Sequence, residues 1–197
     1  MKKYLTILML MTVAFTGTIY AQKAGLKTNL LYWSTTTPNI GAEVRLADRF
    51  TLNLEGGYNP FTLNDNNEVN KKIKHFLVSP EVRYWFCDRF TRHFLGFHAL
   101  AGQYNIGGLK NNFKFLGTDF SQLSNNRFQG WGAGAGIAYG YAMILGKHWN
   151  LEFELGVGYI YSAYDIFECS GCGRRVGTDT NHYVGLTKAA INLVYLF

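Results

Sequence analysis

The sequence predicts an all-β protein: an eight-stranded antiparallel transmembrane β-barrel with short turns at one end and longer loops at the other. Three observations carry this reading. Apolar and polar residues alternate with a period of two along eight segments, and no later segment keeps a helical period. The connections between segments alternate between short and long. The composition is also unusual for a chain in water. Of 197 residues, 16% are aromatic and only 16% charged, with 22 Gly and 3 Pro, where a soluble domain carries about 25% charged residues.

The first segment reads as an address. Lys2 and Lys3 form a positive start, Leu5 to Ala14 is apolar, and Thr16 to Ala21 is small and polar. That is the pattern of a secretory signal peptide, with an apolar core shorter than the roughly 20 residues of a spanning helix. The expected division is a signal peptide over 1–21 and one barrel domain over 22–197. Without Lys2 and Lys3 the 19 basic residues fall to 17, against 13 acids, a net +4. So mild a charge on an exported chain argues against nucleic acid as a partner.

The strands are read in order over 25–34, 40–47, 50–58, 75–86, 93–106, 128–145, 149–162 and 182–197. The first carries Lys27 on its polar side. In the second, Ile40, Ala42, Val44 and Leu46 oppose Glu43 and Arg45; in the third, Leu52, Leu54 and Tyr58 oppose Asn53 and Glu55. In the fourth, Phe76, Val78, Val82, Tyr84 and Phe86 oppose Ser79, Glu81 and Arg83. The fifth has no clean phase, because Phe94, Phe97 and Tyr104 differ in parity, and a bulge is expected there. In the sixth, Trp131, Ala133, Ala135, Ile137, Tyr139 and Tyr141 oppose a row of glycines. The seventh is the clearest: Leu151, Phe153, Leu155, Val157, Tyr159 and Tyr161 oppose Glu152 and Glu154. The eighth sets Ile191, Leu193, Tyr195 and Phe197 opposite Lys188 and Asn192. The gaps after the second, fourth and sixth strands are short, and those after the third, fifth and seventh are long and polar. The first gap, Thr35 to Asn39, is short out of turn.

Alternation alone also suits a soluble barrel with its apolar face inward. An eight-stranded interior is only just wide enough for its own side chains, and the apolar face here is dense in Tyr, Phe, Trp and Leu. It is therefore expected to face lipid, in a closed sheet that pairs every backbone group where no water is available. The terminal series Ile191, Leu193, Tyr195 and Phe197 reads as a barrel insertion signal. With a signal peptide, the predicted location is the outer membrane of a Gram-negative cell.

On that orientation the lumen holds the acids Glu43, Glu55, Glu81, Glu152 and Glu154, and the cations Lys27, Arg45, Arg83 and Lys188. Charges enclosed in a narrow barrel must pair or be neutralised. Five against four is close to balance, which predicts a salt-bridged plug. A pore selective for one ion sign would carry an excess of one sign.

Cys169 and Cys172 form a Cys-x-x-Cys in the last long loop. A loop disulfide is the expected state of an exported chain, with zinc and a redox pair as the alternatives. Cys87 is assigned no role. Gly-x-Ser-x-Gly is absent, and the glycines over 130–136 lie within a strand, so they are no phosphate loop. No catalytic residue, cofactor or metal is expected, and the chain is read as a non-enzyme. The expected partners are outer-membrane lipid and lipopolysaccharide, the barrel-insertion machinery and periplasmic chaperones. A surface ligand or protein partner at the loops is a further expectation, since loops on a rigid scaffold carry binding. The rival readings are a narrow gated pore, a lipid-A-modifying enzyme and a soluble periplasmic lipocalin-like binding barrel.

In size, strand count and terminal signal the chain resembles the small OmpA/OmpX-like outer-membrane barrels. In detail it resembles a family of short Gram-negative outer-membrane proteins known only as a domain of unknown function. That likeness rests on Lys27-Thr28-Asn29-Leu30-Leu31-Tyr32, Pro38-Asn39-Ile40-Gly41, Pro80-Glu81-Val82-Arg83-Tyr84-Trp85 and Gly130-Trp131-Gly132-Ala133-Gly134. The resemblance implies a fold and a location and no activity, and no peptidoglycan-binding domain is expected after Phe197.

Overall fold

Eight antiparallel strands form a ring in the computed structural model, which describes residues 24–66, 69–107, 114–115, 118–119, 126–168 and 173–197. The strands are β1 (Ala24–Asn29), β2 (Asn39–Arg45), β3 (Phe50–Asn59), β4 (Val69–Trp85), β5 (Arg92–Gly107), β6 (Asn126–Ile144), β7 (Trp149–Glu168) and β8 (Arg175–Leu196). Each pairs with the next in the chain, β3 meeting β4 through Leu52↔Val82. β8 returns to β1 through Leu26↔Tyr195 and closes the ring. The β8–β1 ladder spans Asn192–Leu196, and above it β8 is paired in register with β7 alone. Among the described residues no helix is long and apolar enough to cross a membrane, which says nothing of strands.

Each of the eight predicted segments overlaps one strand, with three differences. Residues 30–34, read as strand, form a short helix α1 (Leu30–Ser34), capped by Asn29, whose side chain accepts from the Leu31 N–H at 3.0 Å. Asn favours such a cap because it satisfies an otherwise orphaned donor. The loops expected over 59–74 and 163–181 are also largely paired strand. Thr62–Asn66 pairs with β4, and the β7–β8 ladder runs up to Phe167↔Arg175. Beyond the apolar band the outward face turns polar, as at the Asp165↔Thr178 pair, while Tyr164 and Ile166 pack inward on Phe128, so the alternation continues with its faces exchanged. Finally, β5 has no bulge against β6, their register running unbroken from Arg92↔Ala142 to Gly107↔Arg127. Phe94 points inward and is fully buried, while Phe97 points outward at 62% exposed. An inward aromatic, not an extra residue, disturbs the pattern.

The two faces of the ring sort by chemistry. Ile40, Phe97, Ile137, Leu155 and Val157 lie exposed on the outside, whereas Glu43, Arg83 and Glu152 are fully buried within. Trp85, Phe90, Phe94, Ala142, Val194 and Leu196 pack together inside the short-turn end. Phe90 adopts a left-handed φ of 59°, unusual for a non-glycine residue. That turns its ring inward to within 5.9 Å of Trp85, and the Asn150 amide donates to its carbonyl at 2.6 Å. Trp85→Ala is expected to cost about 3–5 kcal/mol, the usual loss for a buried Trp, read as a lowered urea midpoint.

A buried charge cluster as the candidate functional site

The period-two geometry of a strand sends alternate side chains inward. The register then stacks inward residues of neighbouring strands at one level: Glu43↔Asn53, Asn53↔Glu81 and Glu81↔His98. Arg83 stands one step nearer the short turns, opposite Gly96, and is fully buried. Its Nε donates to Glu81 at 2.9 Å. Its Nη1 donates to Glu43 at 2.8 Å and Glu152 at 3.0 Å, and its Nη2 to Glu154 at 2.7 Å. The Phe94 ring closes the remaining side, its centroid 4.4 Å from the Arg83 guanidinium carbon. Planar guanidinium suits this role, since five donors in a fixed fork can serve several carboxylates at once.

Two lysines extend the cluster in opposite directions. Lys27 donates to Glu43 and, at 2.9 Å, to Glu152. Lys188 reaches Glu81 at 2.6 Å, Glu154 at 3.1 Å and Glu55 at 3.6 Å. Neutral groups complete it. Thr51 donates to Glu43 at 2.5 Å and accepts from the Trp85 indole at 2.9 Å. The Asn53 amide donates to Glu55 at 2.7 Å and Glu81 at 3.1 Å.

Of the nine residues read as the inner charges, the structure brings eight together: Lys27, Glu43, Glu55, Glu81, Arg83, Glu152, Glu154 and Lys188. It does not bring Arg45 to them. Arg45 ends β2 beside the short turn, and its guanidinium reaches Asp48 there at 2.5 Å. Parity placed Arg45 correctly on the inward side of the alternation, but a long side chain at a strand end can turn out to a turn carboxylate. The consequence is arithmetic: five carboxylates face three cations, an excess of two negative charges.

The charges come from β1, β2, β3, β4, β7 and β8, while β5 and β6 supply space. A Cβ at Gly96 would fall 1.8 Å from Glu81 Oε1, and one at Gly140 would fall 2.2 Å from the Phe94 ring. Gly96 of β5 thus makes room for a carboxylate and Gly140 of β6 for an aromatic ring. His98 shares this interior: it is fully buried, and its Nε2 lies 2.9 Å from the Thr187 hydroxyl. Sequence reasoning missed Thr51, Asn53, Trp85 and Phe94 as members, although Thr51 and Asn53 share the parity of Glu55 on β3, Trp85 that of Arg83 on β4, and Phe94 that of His98 on β5.

One subset has the spacing of a metal site. Oxygens of Glu55, Glu81 and Glu154 lie within 4.8 Å of one another. The Lys188 ammonium already stands among them, so their cation is supplied by the chain. Chemically, the cluster cross-links six strands through ion pairs.

Ile191, Leu193, Tyr195 and Phe197 all point outward, Tyr195 packing 5.0 Å from Trp149 and 5.1 Å from Phe197 between ring centroids. Cys87 is exposed and free in a short turn. Cys169, Cys172 and residues 1–21, read from the sequence as a signal peptide, lie outside the described residues.

A family model described as a protein of unknown function (DUF3575) matches residues 5–197. The chain belongs to this family. No curated protein matches it. Membership agrees with the likeness to a domain of unknown function, and the family carries no activity to transfer.

Proposed function

We propose that this member of the family is an outer-membrane β-barrel of the OmpA/OmpX-like kind, with a structural or cell-surface binding role and a lumen closed by the charge cluster. The observation that carries the reading is the inversion of the faces: charges are buried inside the ring and large apolar side chains exposed outside it. Water outside would reward the opposite arrangement.

The aromatics support the same orientation. Near the short turns lie outward Tyr139, Tyr141, Trp149, Tyr195 and Phe197, and toward the loops lie Tyr58, Phe76, Trp131 and Tyr159. From Trp131 to Tyr141 the strand advances ten residues, about 33 Å at the usual rise. At a strand tilt of about 40° that is about 25 Å of height, the apolar band of such barrels between its two aromatic girdles. Lipid, lipopolysaccharide, insertion machinery and periplasmic chaperones are the partners this location brings, with a surface ligand at the loops; no reaction is assigned.

Leu155 stands mid-band, 63% exposed. Leu155→Arg is expected to destabilise the protein in lipid vesicles by about 2–4 kcal/mol, the cost of a cation at the bilayer midplane. A change within about 0.5 kcal/mol, as on a watery surface, would count against the lipid-facing assignment.

A second reading, the narrow gated pore, has one observation in its favour: the two-charge excess of carboxylates in the cluster. Planar-bilayer recordings separate the two. The closed lumen predicts no unitary steps, and cation-selective steps would establish the pore.

A further inference from the structure

The outward face changes character within one step of the register. Tyr58 of β3, Phe76 of β4, Gln103 of β5 and Trp131 of β6 are successive cross-strand partners, so they form one row. The next row toward the loops is Lys74, Asn105, Gln129 and Asp165, on β4 to β7. The first row is aromatic with one amide. The second is two amides between a cation and an anion. Together they line a groove of about 410 Å³.

The free valences of the groove define a ligand. Tyr58, Phe76 and Trp131 present rings 58%, 50% and 49% exposed. Asp165 is occupied, accepting from Thr178 at 2.7 Å and lying 3.5 Å from Arg175. Among the described residues the Lys74 ammonium has no carboxylate partner, and the Asn105 side-chain oxygen, buried at the wall of the groove, has no donor. Flat aromatic faces beside amides that both donate and accept hold a sugar ring, its C–H face on the aromatics and its hydroxyls on the amides. An unpaired ammonium adds a place for phosphate.

Position narrows the source. On the membrane reading, on which this inference rests, the aromatic row is the upper girdle and the polar row lies just outside it. A molecule touching both has its apolar part beside the band and its polar part above. We propose that the two rows seat the phosphorylated saccharide headgroup of a glycolipid standing in the adjoining leaflet.

The test uses the full mature chain folded in detergent micelles, with folding verified by gel mobility before and after boiling. Binding of lipid A, an acylated and phosphorylated glucosamine disaccharide, is followed by native mass spectrometry beside its deacylated form. Lys74→Gln and Trp131→Leu are each expected to weaken lipid A binding about tenfold, the worth of one charge-assisted contact or one stacked ring. Trp149→Leu, in the opposite girdle, is expected to leave it unchanged. Lys74 lies outside the apolar band, so that variant stays informative even if Trp131→Leu folds poorly. Equal binding by unchanged protein and folded Lys74→Gln would overturn the proposal. Binding of the deacylated sugar as tight as that of the whole lipid would overturn the membrane source. Loss of the mobility shift in the unchanged protein would instead defeat the barrel reading beneath it.

Discussion

Arg83→Ala is expected to cost at least about 3–5 kcal/mol, the penalty for breaking a buried ion pair from one side. The guanidinium donates to four carboxylates between 2.7 and 3.0 Å: Glu43, Glu81, Glu152 and Glu154. All four side chains are shut off from solvent. Without Arg83 the cluster would set five carboxylates against Lys27 and Lys188 alone. Arg83→Lys is expected to recover only part of the loss, because one ammonium cannot reproduce the fork. Arg45→Ala provides the contrast. Its Asp48 partner is 91% exposed, and such surface pairs contribute about 0–1 kcal/mol. Urea titrations of the three variants in micelles check the order. Equal midpoints for Arg83→Ala and Arg45→Ala would contradict the cluster as the interior's main tie.

Gly140→Val is expected to prevent folding, and Gly140→Ala to cost about 1–3 kcal/mol by overpacking. The row of glycines along β6 is inward, and at Gly140 even a methyl would meet the Phe94 ring at 2.2 Å. That ring has nowhere to retreat: its centroid is 4.7 Å from that of Trp85, and the Arg83 guanidinium carbon is 4.4 Å away on its face. Gly146, in the turn after β6, has nothing within 4 Å of an added Cβ, so Gly146→Ala is expected to leave the urea midpoint unchanged. A Gly140→Ala variant as stable as Gly146→Ala would show that the interior yields more than its packing implies.

Much of this was legible in the sequence because a strand has a period of two and its two environments differ sharply. β7 shows it best: every second residue from Leu151 to Tyr161 is apolar, and Glu152 and Glu154 between them enter the cluster. The pattern failed where a residue's environment was not set by its face alone. Phe94 and Trp85 are large and inward, because the short-turn end of the ring is closed by aromatics rather than charges, and that hid the phase of β5. Arg45 has the right parity but sits at a strand end, where its length lets it reach Asp48. In the paired ladders beyond the apolar band the polar residues, such as Asp165 and Thr178, turn outward and Tyr164 and Ile166 turn inward, so the pattern that marked the strands is reversed there. The glycines of β6 were visible as an inward row. What each makes room for, Phe94 at Gly140 and His98 at Gly136, required the register.

The most direct test of the account is the gel mobility of the detergent-extracted protein, boiled and unboiled, from separated inner and outer membranes. A closed barrel with a cross-linked interior predicts a band in the outer-membrane fraction that migrates differently until boiled. A soluble periplasmic protein whose mobility boiling does not change would contradict the lipid-facing exterior.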